Sequence, residues 1–261
     1  MFPARLAAEI RTAVAELVPP ADLPDATPAE WIRRPRRADL GDFTTPAGRR
    51  WAAAAGVPPG QLAGALARRL RGIDGVARCE ATGDGFVNIH AETGALADIV
   101  REIVAPARPA HDRSAEQSRH GRPSLAAELA AEMRYAHARM CGFLRSAAAL
   151  DIVVDPDRID ATWLDAQPAR RLVCALAEFP SAVARSARGT GPARTHQRPL
   201  NSYLTELLEL LADFEDAGGI LPKGAEAPAP RHSTRLMVVD ASRAVLANAL
   251  RTYGLDAPSR W

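Results

Sequence analysis

Long apolar stripes at helical spacing dominate the second half of the chain and limit what it can fold into. After Pro123, large apolar side chains recur at the short intervals that place them on one face of an α-helix. The three stripes are Leu125, Leu129, Met133, Ala136, Met140, Phe143 and Leu144; Leu200, Tyr203, Leu204, Leu207, Leu208, Leu211 and Phe214; and Leu236, Val239, Leu246, Leu250 and Tyr253. Between the first two, residues 163–187 predict a helical hairpin that is broken at Phe179-Pro180. Residues 123–261 are therefore predicted to form an α-helical bundle.

The first half has a mixed pattern that predicts a small α+β domain over residues 1–104. Four segments predict helices: residues 3–18, and stretches that begin near Pro46, at Pro58 and at Thr93. The runs 76–81 and 85–91 have β character and are separated by Thr-Gly-Asp, which predicts a β-hairpin. The segment 31–43, rich in arginine and proline, is predicted to be a loop.

Residues 105–122 lack apolar periodicity and are rich in proline, serine and charged side chains, which predicts a linker. The expected fold is therefore mainly α. A small α+β N-terminal domain is joined by this linker to a C-terminal α-helical bundle.

Composition narrows the classes of protein to which the chain can belong. All but one of the 33 basic residues are arginine, and the formal net charge is +2. Arginine binds phosphate in a bidentate way and stacks on bases, so this bias weakly favours an RNA partner. The three cysteines, Cys79, Cys141 and Cys174, are far apart, which indicates reduced thiols and neither a disulfide framework nor a metal site. The sequence has no membrane-spanning run and no signal peptide at its start, so we expect a soluble, cytoplasmic protein.

Three motifs in the second half resemble one known RNA-binding domain. They are MRYAHARM at 133–140, LVCALAEFPSAV at 172–183 and RLMVVDASRAVLANALRTYGLDAPSRW at 235–261. In this order they resemble the DALR domain, the C-terminal helical anticodon-binding domain of arginyl-tRNA synthetases. The resemblance implies a helical bundle that contacts the tRNA anticodon.

Three motifs in the first half resemble another domain of the same family. They are GDFTTPAG at 41–48, PPGQLAGALARRL at 58–70 and GDGFVNI at 83–89. Their order and spacing resemble the N-terminal additional domain of arginyl-tRNA synthetases, a small α+β unit that contacts the tRNA elbow near the D-loop. The family typically has asparagine after the GDFxT stretch, where this chain has Pro46.

The catalytic domain that lies between these two domains in the family is expected to be missing, because residues 105–122 stand in its place. Class I chemistry needs a His-x-Gly-His-type turn against the ATP phosphates and a lysine loop that stabilises the pyrophosphate charge. No two of the six histidines are three residues apart, and Lys223 is the only lysine. The sequence also contains no P-loop and no glycine-rich dinucleotide fingerprint. We therefore expect a pseudoenzyme that needs no cofactor and no metal.

One face of the helix predicted after Pro123 carries candidate RNA contacts. Tyr135 and Arg139 point away from the Leu125 stripe and offer a ring and a guanidinium for base stacking and phosphate contact. Alternatively, Tyr135 packs on a neighbouring helix and Arg139 pairs with an acid. The other residues predicted on this face are Glu128, Gly142 and Ser146.

Two other polar side chains lie in or beside the apolar stripes. His137 is predicted to be a hydrogen-bonded core histidine rather than a ligand. Arg243 is predicted to pair with a carboxylate such as Asp213 or Glu215, because an unpaired arginine there would be costly. The alternative is that Arg243 faces RNA.

The remaining candidate RNA contacts lie in both halves of the chain. Four arginines beside Trp31 form the densest basic run and are a candidate phosphate clamp, with a solvated loop as the alternative: Arg33, Arg34, Arg36 and Arg37. Asn88 is a candidate for reading a base edge in a flipped loop nucleotide; alternatively, it only satisfies the hairpin backbone. The family resemblance places the anticodon near the last helix and its tail, which makes candidates of Arg251, Tyr253, Arg260 and Trp261 by location. The family usually closes with methionine where this chain has Trp261.

The leading hypothesis is therefore a non-catalytic tRNA-binding protein that contacts the elbow and the anticodon of arginine tRNA or of its charged form. The alternative is a protein-docking or accessory module for an enzyme that uses aminoacyl-tRNA, which the low net charge of +2 favours. A third possibility is an accessory module for a catalytic subunit that acts in trans.

Overall fold

The computed structural model describes residues 2–18, 31–35, 37–105, 125–187 and 193–261. The chain divides into two compact units, Met1–Ile99 with Val173–Arg185, and Val100–Leu172 with Ser186–Trp261. The predicted linker lies outside the described residues apart from Ala105. None of the helices described combines the length and the apolar composition that a membrane crossing requires.

The first unit combines helices with a small sheet. Its helices are α1 (Phe2–Ala15), α2 (Ala47–Trp51), α3 (Pro59–Leu70) and the first part of α4 (Thr93–Val104), with a 3-10 turn at Ala38–Leu40. Its strands are β1 (Phe43–Thr45), β2 (Val76–Ala81) and β3 (Val87–Ala91). The predicted helices are present, although α1 ends at Ala15 and not at residue 18, and Leu17 is exposed. Leu6, Ile10 and Val14 of α1 are fully buried. Pro58 precedes α3 with the extended backbone that favours a helix start.

The three strands form an antiparallel sheet in the order β1-β3-β2. The predicted hairpin is confirmed as β2 and β3, with Cys79 opposite Ile89. Strand β1, by contrast, lies at the border of the predicted loop 31–43, and it places Phe43 opposite Ile89. A strand of three residues is too short to show an alternating pattern, so its formation depends on the edge that β3 offers.

Helix α6 (Gln167–Ala187) is continuous, so the predicted helical hairpin over 163–187 is wrong. Pro180 lies inside the helix and is exposed. A proline inside a helix lowers the stability of that helix by about 3 kcal/mol, because it cannot donate a main-chain hydrogen bond. Leu176 before Pro180 and Ala182 after it are both buried. Burial on both sides of Pro180 therefore offsets the lost main-chain hydrogen bond. Residues Val173–Arg185 of α6 belong to the first unit.

The second unit is helical, which confirms a mainly α fold. Its long helices are α5 (Ala127–Ala149), α7 (Ala193–Asp216) and α8 (Pro230–Thr252), and it also contains 3-10 turns at Pro156–Arg158 and Ala161–Leu164. α8 packs against α5 and against both 3-10 turns. Residues on every side of α8 are buried, so it is the central helix of this unit.

Candidate nucleic-acid interface

The chain reverses direction after α8 through a Schellman arrangement. The Gly254 amide donates to the Arg251 carbonyl (2.9 Å) and the Leu255 amide donates to the Leu250 carbonyl (2.9 Å). This arrangement needs a left-handed residue, and Gly254 supplies it with a φ of 71°. Residues 255–261, here called the C-terminal tail, then return to α5.

Two side chains of α5 hold the C-terminal tail by its main chain. The His137 Nδ1 donates to the Pro258 carbonyl (2.8 Å), and since a carbonyl can only accept, Nδ1 carries the proton. The Arg145 Nη1 donates to the Ser259 carbonyl (2.7 Å). His137 is buried, which confirms the prediction of a hydrogen-bonded core histidine.

The anchored tail places an exposed aromatic pair beside basic side chains. The rings of Tyr135 and Trp261 meet edge to face, with centroids 6.2 Å apart and planes at 88°. They remain 49% and 69% exposed. The Arg134 guanidinium lies 6.0 Å from the Trp261 ring centroid. Arg260, which precedes Trp261 in the sequence, is exposed. We call this set, Arg134, Tyr135, Arg145, Arg260 and Trp261, the α5–tail surface.

Arg139, one turn from Tyr135, makes an ion pair with Glu215 of α7. The Glu215 hydrogen bond raises the pKa of the Arg139 guanidinium. The guanidinium also lies 5.5 Å from the Phe143 ring centroid. The alternative that Arg139 pairs with an acid is therefore realised, although nearly half of its side chain remains exposed.

Tyr253 lies in the core and offers no exposed ring, contrary to its prediction as a candidate RNA contact. Its hydroxyl donates to the Asn201 Oδ1 (2.7 Å), and burial raises the pKa of the phenol to about 12. Tyr253 follows α8 directly, so the apolar stripe of that helix extends to it. Arg251, in the last turn of α8, is exposed.

The arginine segment of the first unit is engaged with acids and with the sheet. The Arg33 main chain exchanges two hydrogen bonds with Thr44 (2.9 and 2.7 Å), and its side chain is exposed. Arg34 pairs with Glu178 of α6 (2.6 Å), and both side chains are largely buried. Arg37 pairs with Asp39 (2.6 Å) at the surface.

The predicted clamp also includes Arg36 and lies beside Trp31. Arg36 lies outside the described residues. Trp31 is buried and stacks on Trp51, with centroids 4.0 Å apart and planes at 11°. The ring predicted beside the clamp therefore belongs to the core and is not available to a base.

Asn88, the candidate base reader of β3, is also buried. Its Oδ1 accepts a hydrogen bond from the Thr44 hydroxyl (3.0 Å) across the β1–β3 pair. The side chain therefore links β3 to β1 through the Thr44 hydroxyl, and not through the hairpin backbone that the alternative named.

Comparison with known proteins assigns a domain to each end of the chain. Residues 4–91 match the family model of the arginyl tRNA synthetase N terminal domain, and residues 133–260 match the DALR anticodon binding domain. The chain is arginyl-tRNA synthetase-like, with two domains of that family. The resemblance inferred from the motifs is thereby confirmed.

Two relatives of this arginyl-tRNA synthetase-like chain are the arginine-tRNA ligases of Frankia alni and Kineococcus radiotolerans. Each is 37% identical to it over 128 residues, which cover 49% of this chain and 22% of the relative. The matched part thus spans about a fifth of the length of these ligases. Residues 92–132 lie between the two matched domains.

Within the DALR domain, sequence reasoning missed Arg134 and Arg145. Both flank the predicted Tyr135 and Arg139 face, but their roles depend on the position of Ser259 and Trp261, which helical periodicity does not reveal. Trp261 itself lies one residue beyond the DALR match.

Arg243 of the DALR domain pairs with a carboxylate, as predicted, but the partner is different. Its Nη2 lies 2.7 Å from the Asp240 Oδ1, one turn away on the same helix. The suggested partners Asp213 and Glu215 are wrong: Glu215 pairs with Arg139, and Asp213 lies 3.9 Å from Arg171. A local partner of this kind needs no rearrangement of neighbouring helices.

The thiols and the acids of the described residues form no cluster of three or more groups placed to hold a metal ion. Cys79 and Cys174 are buried, and burial raises the pKa of the Cys79 thiol to about 11. The Cys79 thiol therefore stays protonated at neutral pH, and its place opposite Ile89 in the sheet is a packing role.

Proposed function

We propose that this protein binds tRNA, and arginine tRNA in particular, without aminoacylating it. The observation that carries the proposal is the exposed Tyr135–Trp261 pair, set among arginines on a domain of the anticodon-binding type. The rings would stack on unpaired bases of the anticodon loop, since base–aromatic stacking contributes about 1–3 kcal/mol per base.

The charges around the aromatic pair favour a phosphate backbone as the partner. Arg134 lies against the Trp261 ring, and this contact does not neutralise its guanidinium. Arg260, next to Trp261 in the sequence, is exposed. Positive groups of this kind release counterions from RNA when they meet its phosphates, so the affinity should depend on salt.

In the first unit, the proposed elbow contacts are fewer than the arginine run suggests. Arg33 keeps an exposed side chain, whereas Arg37 is paired with Asp39 and Arg34 is largely buried against Glu178. A contact made by two units of one chain would raise the apparent affinity through effective concentration. Because acids already engage arginines of the first-unit run, the α5–tail surface is the main RNA-binding surface in this proposal.

The proposal of a pseudoenzyme depends on what lies between the two matched domains. Residues 92–132 include all of α4 and the start of α5, which leaves little chain for a nucleotide-binding fold. The chain also has a single lysine, Lys223, in the loop between α7 and α8. We place its action in the cytoplasm, because its cysteines are free thiols.

The first experiment is a filter-binding titration of the purified protein with arginine tRNA and with an unrelated tRNA, each charged and uncharged, at two salt concentrations. We expect selective, salt-sensitive binding of arginine tRNA. An aminoacylation assay with ATP and arginine should give no charged product.

Three outcomes would contradict parts of the proposal. Failure to bind any tRNA at micromolar protein would overturn it and favour the docking role. Equal binding of both tRNAs would remove the arginine specificity. Charging of tRNA by the protein alone would remove the non-catalytic assignment, and charging only with an added catalytic subunit would favour the accessory module for a subunit that acts in trans.

A further inference from the structure

The C-terminal tail is held in place by hydrogen bonds from α5. The last residues of most domains are poorly ordered unless something ties them down. Here the Schellman turn at Gly254 directs the chain, and His137 and Arg145 then donate to the carbonyls of two consecutive residues, Pro258 and Ser259. The ring of Trp261 is the most exposed large hydrophobic side chain of the described residues.

The two anchors differ in where they lie. His137 is buried in the unit, so its bond to Pro258 belongs to the core. Arg145 is exposed, and its bond to Ser259 is the last polar contact described before Trp261. Beyond Ser259, the described contacts of the Trp261 ring are with Tyr135 and Arg134.

We propose that Arg145 is a positioning residue for RNA recognition. By holding the Ser259 carbonyl, it keeps the Trp261 ring beside Tyr135, so that the aromatic pair is ordered before RNA arrives. The effect of this positioning on RNA affinity rests on the proposed function. The ordering of the tail is a property of the free protein and is tested without RNA.

The physical reason is pre-organisation. A tail that is free in solution must be ordered when RNA binds, and immobilising a single side chain reduces affinity by about 3- to 10-fold. Arg145 removes this cost because Ser259 is already fixed. An arginine that instead contacted phosphate directly would act on affinity whether or not Trp261 were present.

The test of ordering uses the indole groups of the four tryptophans in the free, full-length protein. The steady-state 15N–1H NOE of each indole reports motion faster than nanoseconds, and Trp261→Phe identifies the Trp261 signal. We expect Arg145→Ala to lower the NOE of Trp261 and to leave that of Trp163, which is also exposed, unchanged. Arg145→Lys should restore the NOE, because its ammonium can still donate to Ser259.

The test of recognition is a double-mutant cycle of tRNA affinity with Arg145→Ala, Trp261→Ala and the double variant. We expect Arg145→Ala alone to weaken binding by about 3- to 10-fold and to add little once Trp261 is absent. Arg158→Ala is the matched control, because Arg158 is an exposed arginine of the same unit that pairs with Asp155.

The two arms separate the possible failures. An unchanged Trp261 NOE in Arg145→Ala would overturn the positioning role. An equal loss of affinity with and without Trp261 would also overturn it and would make Arg145 a direct phosphate contact. If the wild-type protein binds no tRNA, the proposed function fails, while the NOE arm still decides whether Arg145 orders the tail.

Discussion

Two arginine-rich regions of this chain use the same side chain in different ways. In the segment 31–37, Arg34 is held by a buried carboxylate and Arg37 by an exposed one. On the α5–tail surface, Arg134 lies against a ring and Arg145 donates to a carbonyl. The density of arginine along a sequence is therefore a poor guide to available positive charge. The charge of each arginine's partner decides whether a phosphate can still be attracted.

The largest effect is expected for Glu178, which joins Arg34 and Arg185 in the first unit. Its carboxylate lies 2.6 Å from Arg34 and 2.7 Å from Arg185, and all three side chains are mostly buried. Glu178→Ala should lower the free energy of unfolding by about 3 kcal/mol, because it leaves two buried cations without their acid. Urea denaturation followed by circular dichroism measures this change.

The control for this prediction is Arg37→Ala, which breaks the exposed pair with Asp39 and should cause no measurable change in stability. tRNA affinity should be the same in Glu178→Ala as in the wild-type protein. Tighter tRNA binding by Glu178→Ala would contradict the comparison, because it would reveal Arg34 as an RNA contact restrained by its acid.

Tyr135 and Tyr253 provide the next contrast, because one ring is exposed and the other buried. Tyr135→Ala should weaken tRNA binding by about 1–3 kcal/mol, the contribution of one stacked base. Tyr135→Phe, which keeps the ring, should bind like the wild-type protein. Filter binding at one salt concentration is sufficient to compare them.

Tyr253→Phe should behave in the opposite way. It removes the hydroxyl that donates to Asn201, so it should lower the free energy of unfolding by about 1 kcal/mol and leave tRNA affinity unchanged. If Tyr135→Ala and Tyr253→Phe altered tRNA binding to the same extent, the Tyr135–Trp261 pair would not be the RNA-binding surface.

A smaller effect is expected in the salt dependence of binding. Removal of a phosphate-contacting arginine reduces the slope of log affinity against log salt by about 1. Arg260→Ala should show this reduction, whereas Arg37→Ala, whose charge is already paired, should keep the wild-type slope. The reverse pattern would assign the RNA contact to the segment 31–37.

The smallest expected effect is a pH dependence of stability that arises from His232 at the start of α8. Binding in the two regions should be compared at a pH where this effect is absent. Its Nδ1 accepts the Ala229 amide (2.9 Å), and burial lowers the pKa of the imidazole from its ordinary value of 6.5. The unfolded chain therefore takes up a proton at a pH where the folded protein does not. The contribution of His232 to the free energy of unfolding should be fully present above about pH 6.5 and should decline as the pH falls below that value.

His232→Asn tests this pH dependence, because asparagine can accept the same amide hydrogen and does not titrate. Urea denaturation between about pH 5 and pH 7.5 should give a flatter profile for this variant than for the wild-type protein. Equal profiles would exclude His232 as the source of the slope. Binding titrations above pH 7 avoid this contribution altogether.

Local periodicity explains which parts of the fold the sequence predicted. Leu6, Ile10 and Val14 mark α1, and the runs that became β2 and β3 mark the hairpin, because neighbouring residues determine both patterns. The continuous helix through Pro180 could not be predicted in this way. Its stability depends on buried contacts on both sides of the proline, which a local breaker signal does not include.

The residues of the candidate site also divide into those whose position depends on neighbouring residues and those whose position depends on distant contacts. The exposure of Tyr135 followed from its place opposite the Leu125 stripe, and the burial of His137 followed from its place beside it. The buried positions of Trp31, Asn88 and Tyr253 depend on Trp51, Thr44 and Asn201, which are distant in sequence. Arg145 gains its partner only when the tail returns to α5.

The sharing of α6 between the two units has a consequence for the order of events during synthesis. The first unit includes residues 173–185, and Arg34 meets Glu178 across 144 positions of sequence. A ribosome must therefore release most of the chain before the first unit can be completed. Until then, Arg34 lacks its contact with Glu178 of α6, and contacts of such long range form slowly. The nascent N-terminal region is thus the part of this protein most dependent on protection from aggregation while translation continues.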